Sequence, residues 1–349
     1  MVQGEVETMG MKSRPTLRST LMLLAVGLSA FQAHANDSMA RIGTHGLELV
    51  KSDRVRMATE RLDISTQRIQ VRYQFINEST VDVPAVVAFP LPRYGWNPGA
   101  AMIDGNEYPL RPFDVKVDGQ SVPSRMSRRA LLEGRDVTVA LRRAGLKDAE
   151  VFDTFGCRGS ECEFSPRVAA ALKRMKALSI DGYPTWEVEE AAYWDIRFPA
   201  GRSLTVEHDY APKVGMVYSV PYWDGQWNEQ MLPSPARRRD GGRGDPACLA
   251  DSARTEVEQR VRREVAAGAK GVQVVLRDVE YVLGTGRNWK GPIGDFTLRV
   301  QKEAVDDIVA LCLPGKLLQL DAKTLEFHAS DFTPPDRLVL HFYRVEPSR

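Results

Sequence analysis

Alternation of apolar and polar residues is the strongest pattern in this chain. In residues 69–76 the apolar side chains alternate with polar ones: Ile69, Val71, Tyr73 and Phe75 are separated by Gln70, Arg72 and Gln74. This is the period of a half-buried β-strand. The polar run 77–80 predicts a turn, and the apolar run 81–91 predicts a second, more deeply buried strand. The pattern points to a protein built mainly from strands.

Further strands are predicted where alternation or a short apolar run lies between turn residues. The Asp118-Gly119 dipeptide is typical of a hairpin turn and should end one of them. His208 lies in phase with the apolar positions of its strand, so we expect a hydrogen-bonded, half-buried sheet residue rather than a catalytic base. The predicted strands cover 113–117, 194–198, 204–210, 272–283, 295–300, 324–328 and 337–343.

Helices are fewer. Asp136 as N-cap and Gly145 just beyond the end predict a short first helix. Ser165, followed by proline, starts a second that should run to about Leu178. A third covers about 249–267, where valines four residues apart form a narrow apolar stripe. The predicted fold class is mainly β: a β-sandwich domain with a short helical insert, followed by a smaller disulfide-linked α+β region.

The proposed domains follow from these elements. Residues 36–232 should form the N-terminal sandwich, with its helical insert near 127–180. Residues 233–247 crowd proline, glycine and arginine together and predict a linker loop. The remaining part, 248–349, is then a helix followed by strands.

The first 35 residues have the features of a cleaved secretory signal. Three basic residues precede the apolar run 21–31, which is too short to span a bilayer as a helix. The small-x-small motif at 33–35 then predicts cleavage between Ala35 and Asn36. An uncleaved membrane anchor is the competing interpretation. We expect a periplasmic or secreted protein.

Charge and length limit the function classes. Of the 349 residues, 47 are basic and 46 acidic. Residues 1–35 contain three basic and two acidic residues, so the mature chain has no net formal charge. No global field favours nucleic acid, no later segment reaches the length of a transmembrane helix, and no cofactor is expected.

The four cysteines lie in the mature part, and an even number in an exported chain favours disulfides. Three pairings are possible. We favour Cys157–Cys162, which closes a tight glycine-containing loop, and Cys248–Cys312, which closes a long one. A zinc site is the competing interpretation, but the spacing lacks a CxxC or HxxxH partner, so no metal is expected.

Three sequence blocks occur in a recognisable order and spacing: Asn36-Asp37-Ser38 followed by Gly46-Leu47-Glu48-Leu49; VRYQFINESTVDVPAVVAFPLP at 71–92; and NWKGPIGDF at 288–296 with Leu311-Cys312 and DFTP at 331–334. Together they resemble the exported bacterial domain-of-unknown-function family numbered 4424. The resemblance implies a pairing of Cys248 with Cys312 and brings no established activity.

The second block also resembles the strand pair of the vault/inter-alpha-trypsin type of β domain, in which a strand ends in an "FN-S" turn and the next ends in "FPLP". This similarity covers residues 69 to about 125. It implies an extracellular, interaction-type β-sandwich, as an analogy of fold alone.

The candidate binding residues are the aromatic and acidic side chains of one loop: Tyr222, Trp223, Asp224, Trp227 and Glu229. Aromatic faces beside carboxylates suit glycan or peptide binding. Because the loop shows no strand period, a surface platform and a core position both stay open for its tryptophans.

Other candidates have simpler explanations. Trp194 alternates in phase with a strand, so we expect it in the core. Gly284-Thr285-Gly286 is followed by neither a third glycine nor a helix, so a turn is favoured over a phosphate cradle. Arg237-Arg238-Arg239 has no interleaved aromatic residues and predicts a solvated loop. No GxSxG motif occurs, and no catalytic residue is assigned.

The sequence therefore favours a non-enzymatic envelope protein that binds another protein or an envelope glycan. The alternative is a carbohydrate-active hydrolase that uses Asp195, Asp224 or Glu229, since glycosidases need two carboxylates about 5 to 10 Å apart. The oligomeric state is not determined by the sequence.

Overall fold

Strands form most of the structure, a computed structural model that describes residues 36–43, 46–96, 113–153, 157–158, 161–232, 251–311, 313 and 317–348. The strands are β1 (Ser38–Gly43), β2 (Gly46–Val50), β3 (Val55–Ile64), β4 (Ile69–Asn77), β5 (Val83–Pro90), β6 (Tyr94–Gly95), β7 (Asp114–Val117), β8 (Gln120–Ser121), β9 (Arg125–Leu132), β10 (Arg135–Asp136), β11 (Cys157–Arg158), β12 (Glu161–Cys162), β13 (Glu187–Phe198), β14 (Ser203–Tyr210), β15 (Val214–Trp223), β16 (Gln226–Trp227), β17 (Gly271–Val282), β18 (Ile293–Gln301), β19 (Ile308–Leu311), β20 (Leu318–Gln319), β21 (Thr324–Phe332) and β22 (Arg337–Ser348). The helices are α1 (Thr138–Ala144), α2 (Asp148–Phe152), α3 (Pro166–Arg174) and α4 (Asp251–Ala266), with short 3-10 helices at Glu229–Met231 and Gly284–Asn288. The mainly β prediction is confirmed.

Three large sheets and one small hairpin are formed by the described strands. The eight-stranded sheet has the order β20-β21-β18-β3-β4-β14-β7-β8, and the five-stranded sheet has the order β16-β15-β17-β22-β19. The seven-stranded sheet runs β10-β9-β13-β5-β1-β2, with β6 paired to β13. Strands β11 and β12 form the small hairpin, which the Cys157–Cys162 disulfide closes. The predicted bond between these two cysteines is confirmed.

The main core lies on one face of the eight-stranded sheet. In β4 the apolar positions are buried and the polar positions between them are mostly exposed, as the alternation predicts. That face packs against the other two sheets. The Phe75 and Phe198 rings are 5.7 Å apart, and the Tyr73 and Tyr281 hydroxyl oxygens are 3.0 Å apart. Full burial of one large apolar side chain contributes about 1.5–3 kcal/mol, so this face stabilises the sandwich.

Strands from both sides of the predicted linker share the eight-stranded sheet. β18 pairs in parallel with β3, so that Leu298 lies opposite Leu62 and Val300 opposite Ile64. The linker, residues 233–247, lies outside the described residues. The domain boundary stays a prediction, but the sheets are not divided along it.

The helical insert covers one end of the seven-stranded sheet. Leu141 of α1, Phe152 of α2 and Leu172 of α3 pack in one apolar cluster with Trp186. The Ser165 side chain caps α3 as predicted by accepting a hydrogen bond from the backbone of the first turn. The helix ends at Arg174 rather than near residue 178.

The remaining helix, α4, packs against the five-stranded sheet. Val257 and Val261 of its narrow apolar stripe are fully buried beside Val272 and Val274 of β17. The charged face of the helix stays accessible and forms i,i+4 ion pairs. Cys248 and Cys312, the second predicted pair, lie outside the described residues.

Candidate functional site

The predicted aromatic loop is a β-hairpin. β15 ends at Trp223, Asp224 and Gly225 form the turn with φ of 44° and 79°, and Trp227 in β16 pairs opposite Tyr222. Positive φ at both turn positions is the geometry that Asp-Gly supplies in tight hairpins. The expectation of an irregular loop is therefore wrong. The signal that could have corrected it is the same Asp-Gly dipeptide that identified the turn at 118–119.

Both tryptophans of this aromatic hairpin (residues 222–227) lie at the surface. Trp223 is 60% exposed and Trp227 is 36% exposed. The Trp223 ring lies so close to Gly271 that a Cβ there would overlap it. The Arg262 guanidinium carbon is 4.7 Å from the centre of the Trp227 ring, whose centroid is 5.5 Å from that of Tyr222. Neighbouring groups thus fix the two indoles while leaving much of their area exposed to solvent.

The exposed apolar area continues along β15. Six of the fourteen large hydrophobic side chains that are exposed in the described part of the chain lie between residues 217 and 231. They are Val217, Tyr218, Val220, Trp223, Trp227 and Met231. Single exposed apolar residues are normal in proteins, whereas their concentration in one short segment favours an interaction surface.

β15 is also close to being an edge strand. On one side it pairs with β17 along most of its length, with an irregularity between Ser219 and Tyr222. On its other side the described residues provide only β16, which pairs at Tyr222 and Trp223. An edge of this kind presents backbone N–H and C=O groups to a further strand.

The candidate carboxylates do not form one group. Asp224 lies in the hairpin turn, and its backbone N–H donates to the Lys270 carbonyl at 2.7 Å. Glu229 begins the 3-10 helix that follows the hairpin and is exposed. Asp195 lies on β13 in the seven-stranded sheet and forms an ion pair with Arg125 at 2.7 Å. The structure places the first in the aromatic hairpin, the second just after it and the third on a different sheet.

A second polar constellation, which sequence reasoning missed, lies in the core. Asn36, Asp37 and Ser38 are all fully buried. The Asn36 side-chain amide donates to Glu60 Oε2 at 2.9 Å and accepts from the Tyr73 hydroxyl. Its backbone N–H donates to the Thr285 hydroxyl oxygen, and that hydroxyl donates to the Asn36 carbonyl. Every polar group of Asn36 therefore has a partner in the core.

Asp37 and Ser38 extend this buried polar cluster. His208 Nε2 lies 2.9 Å from Asp37 Oδ1, and the Trp289 indole N–H donates to the Asp37 carbonyl at 2.6 Å. The Asn288 side chain donates to Ser38 Oγ at 3.0 Å. His208 is hydrogen-bonded in the sheet as predicted, but it is fully rather than half buried, and Asp37 contacts it in the core.

Burial controls the protonation of these groups. Burial raises the pKa of Glu60 to about 8; the hydrogen bond from Asn36 opposes this rise, and the like charge of Asp37 adds to it. Burial also raises the pKa of Asp37 above its ordinary value, against the attraction of His208. The pKa values of Tyr73 and Tyr281 are raised by the same desolvation. Two carboxyl groups thus share the buried interior.

Three atoms of the buried polar cluster lack a hydrogen-bond partner among the described residues: Asp37 Oδ2, Glu60 Oε1 and His208 Nδ1. A buried carboxylate oxygen without a partner costs about 1–3 kcal/mol or more. The two carboxyl oxygens could therefore each accept a further hydrogen bond.

The other sequence candidates are structural. Trp186 and Trp194 are 1% and 0% exposed and lie in the core, as expected for the latter. Gly284, Thr285 and Gly286 belong to a buried 3-10 helix whose threonine binds Asn36. Arg237-Arg238-Arg239 lies outside the described residues. Within the described ranges, no group of three or more His, Cys, Asp or Glu side chains could hold a metal ion.

The family described as "Domain of unknown function (DUF4424)" matches residues 35–340. The chain belongs to this family. The match confirms the resemblance of the three sequence blocks to this family. The vault/inter-alpha-trypsin analogy stays a prediction. Among the described residues, no helix is long and apolar enough to cross a membrane.

Known proteins add little beyond the family. No curated protein matches the chain. A crystal structure from Legionella pneumophila, of a protein provisionally described as nutrient binding, is similar with 15% sequence identity and a TM-score of 0.42. The match covers 89% of this chain and 70% of that one. At this TM-score the similarity carries no argument about function.

Proposed function

We propose that this DUF4424 member is an exported, non-enzymatic envelope protein that binds an extended segment of another protein along β15 and the aromatic hairpin. The observation that carries the proposal is the concentration of exposed apolar side chains on a strand whose outer edge is paired, among the described residues, only at Tyr222 and Trp223. Export is inferred from the predicted signal at residues 1–35, and the Cys157–Cys162 disulfide supports an oxidising compartment.

The edge of β15 favours a polypeptide over a sugar. An added strand can take hydrogen bonds from the backbone, while alternate side chains contact Val217 and other exposed residues. Trp223 and Trp227 then offer rigid anchors, the residue type that dominates binding energy at protein interfaces. Arg262 holds the Trp227 ring in place, which reduces the entropy lost on binding.

Crosslinking in the periplasm tests this proposal. A photoreactive amino acid replaces Tyr218 on β15, and in a control chain it replaces Val305, which is 56% exposed just before β19 at the opposite edge of the same sheet. We expect a discrete protein adduct from position 218 alone, and its loss in a Trp223→Ala/Trp227→Ala background.

Two outcomes would contradict the proposal. Equal products at positions 218 and 305 would show that β15 has no special role. The second outcome is that no protein adduct forms and the protein is retained on cell-wall or polysaccharide material. If the double alanine variant abolished this retention, the site would recognise a glycan instead.

A further inference from the structure

The buried polar cluster contains more acidic than basic side chains. Glu60 and Asp37 supply two carboxyl groups, and His208 is the basic side chain that contacts one of them. Among the described residues, the groups that act on Glu60 are the neutral Asn36 amide and the Tyr281 hydroxyl, which hydrogen-bond to it, and the Asp37 carboxyl; none of them is basic. A buried carboxylate without a cation is unfavourable, because desolvation is not repaid by attraction.

The predicted cleavage site lies at this same place. Water adds across the Ala35–Asn36 peptide bond in the hydrolysis that a signal peptidase catalyses: the hydroxyl goes to the Ala35 carbonyl carbon and a hydrogen to the Asn36 nitrogen. That nitrogen then takes up a proton from solvent and becomes an α-ammonium group. The nitrogen of Asn36 is already directed at the Thr285 hydroxyl inside the cluster.

We propose that the α-ammonium group of Asn36, created by signal-peptide cleavage, is the buried counter-ion of the Glu60 carboxylate. The inference rests on the proposed export, because it requires cleavage at Asn36. The ammonium has three donors. One serves Thr285 Oγ1, and the proposal assigns another to Glu60 Oε1, which, like Asp37 Oδ2, lacks a hydrogen-bond partner among the described residues.

Burial and span support this assignment. Asn36 is fully inaccessible, and its side-chain nitrogen is already 2.9 Å from the Glu60 carboxylate. The backbone nitrogen belongs to the same residue, so only the bonds of Asn36 itself separate it from the side-chain nitrogen that contacts that carboxylate. The ammonium would then face the Glu60 carboxylate, while His208 contacts Asp37. Cleavage would therefore complete the charge pairing of the core as well as release the chain.

Chemical labelling of the exported wild-type protein gives the first test. Intact mass establishes that the chain begins at Asn36, and an amine-acylating reagent is applied at pH 8 to the native and the urea-unfolded protein. Exposed Lys51 serves as the internal reference. An ordinary α-amine has a pKa of about 8, so about half of it is the reactive free amine at pH 8; a tenfold higher proton affinity leaves about a tenth and slows acylation about fivefold. We expect at least this slowing at Asn36 in the native protein, relative to Lys51.

A second test uses stability. A Gly-Ser pair inserted between Ala35 and Asn36 leaves two residues before Asn36 after export. We expect this insertion to lower the melting temperature at pH 8, and to lower it much less in a Glu60→Gln background. An equal loss in both backgrounds would indicate a steric effect alone and overturn the charge assignment.

Other results would also overturn it. These are equal acylation of Asn36 in the native and unfolded protein, or a mature chain that begins elsewhere. If the insertion variant fails to fold, the labelling of the wild type still decides. None of these outcomes affects crosslinking at Tyr218, so failure of this inference is distinguishable from failure of the binding proposal.

Discussion

A chain that still carries residues before Asn36 should lose stability as the pH rises towards 8, because of the buried Glu60 carboxyl. In the folded chain its pKa is raised to about 8, whereas the ordinary value is 4.5. Between these pH values the folded state holds a proton that the unfolded state has released. Stability from this group is therefore complete below about pH 4.5 and is lost as the pH rises through 8.

The magnitude is large relative to a typical protein stability. Each tenfold change in proton affinity is worth about 1.4 kcal/mol, so a pKa raised from 4.5 to about 8 corresponds to about 5 kcal/mol over this window. Folded domains are stable by about 5–15 kcal/mol in total. Glu60→Gln removes the ionisation and keeps an oxygen that can accept from Asn36, so the variant should be more stable than its parent at pH 8.

Urea unfolding at pH 5, 6.5 and 8, followed by the fluorescence of the buried tryptophans, measures this effect in the Gly-Ser insertion chain. The groups around Glu60 are Asp37, Tyr73, Tyr281 and, through Asp37, His208. The pKa of Asp37 is also raised, so part of the pH dependence should remain in Glu60→Gln.

The matched control is Glu346→Gln, which changes an exposed residue of β22. It should leave the pH dependence unchanged. If Glu60→Gln and its parent show the same slope of unfolding free energy against pH, the argument from buried charge is refuted.

Three further changes separate surface from core. Trp223→Ala should alter the free energy of urea unfolding by less than about 1 kcal/mol, since the residue is 60% exposed. Trp194→Ala should lower it by about 3–5 kcal/mol. Equal losses in the two variants would contradict the placement of Trp223 at the surface and Trp194 in the core. Gly271→Ala should displace the Trp223 ring and weaken the adduct on β15 without changing the circular dichroism spectrum; an unaltered adduct would count against the hairpin. Replacing Cys157 and Cys162 by serine should cost about 2 kcal/mol in urea unfolding, because the bond closes a short loop; no loss would show that the bond is dispensable, and a further loss on reduction would report the second predicted bond.

The sequence predicted strands best where one face is apolar without interruption. β4 follows its alternation from Ile69 to Phe75. The sequence pattern did not predict β3, for two physical reasons. An irregularity between Met57 and Thr59 changes the phase of the pattern, and Glu60 places a carboxyl group at an inward position. A charged core residue gives the same sequence signal as a surface residue.

The sites show the same limit. The residues of the aromatic hairpin are close in sequence, so local composition was enough to identify them as one candidate site. Their position beside a strand edge depends on sheet order, which is set by pairings with distant strands. The buried polar cluster joins Asp37 to His208 across 171 positions and Asn36 to Thr285 across 249. No local pattern encodes such contacts.

The parallel pairing of β3 with β18 has a consequence for the order of folding. Thr59 lies opposite Asp295, and β21 adds to the far side of β18. The eight-stranded sheet therefore cannot be completed until the last quarter of the chain is present, and contacts between such distant segments form slowly. A chain that crosses a membrane from its N-terminus would stay unfolded through most of its passage. We expect this topology to keep the precursor competent for translocation, and to make refolding slow once denaturant is removed.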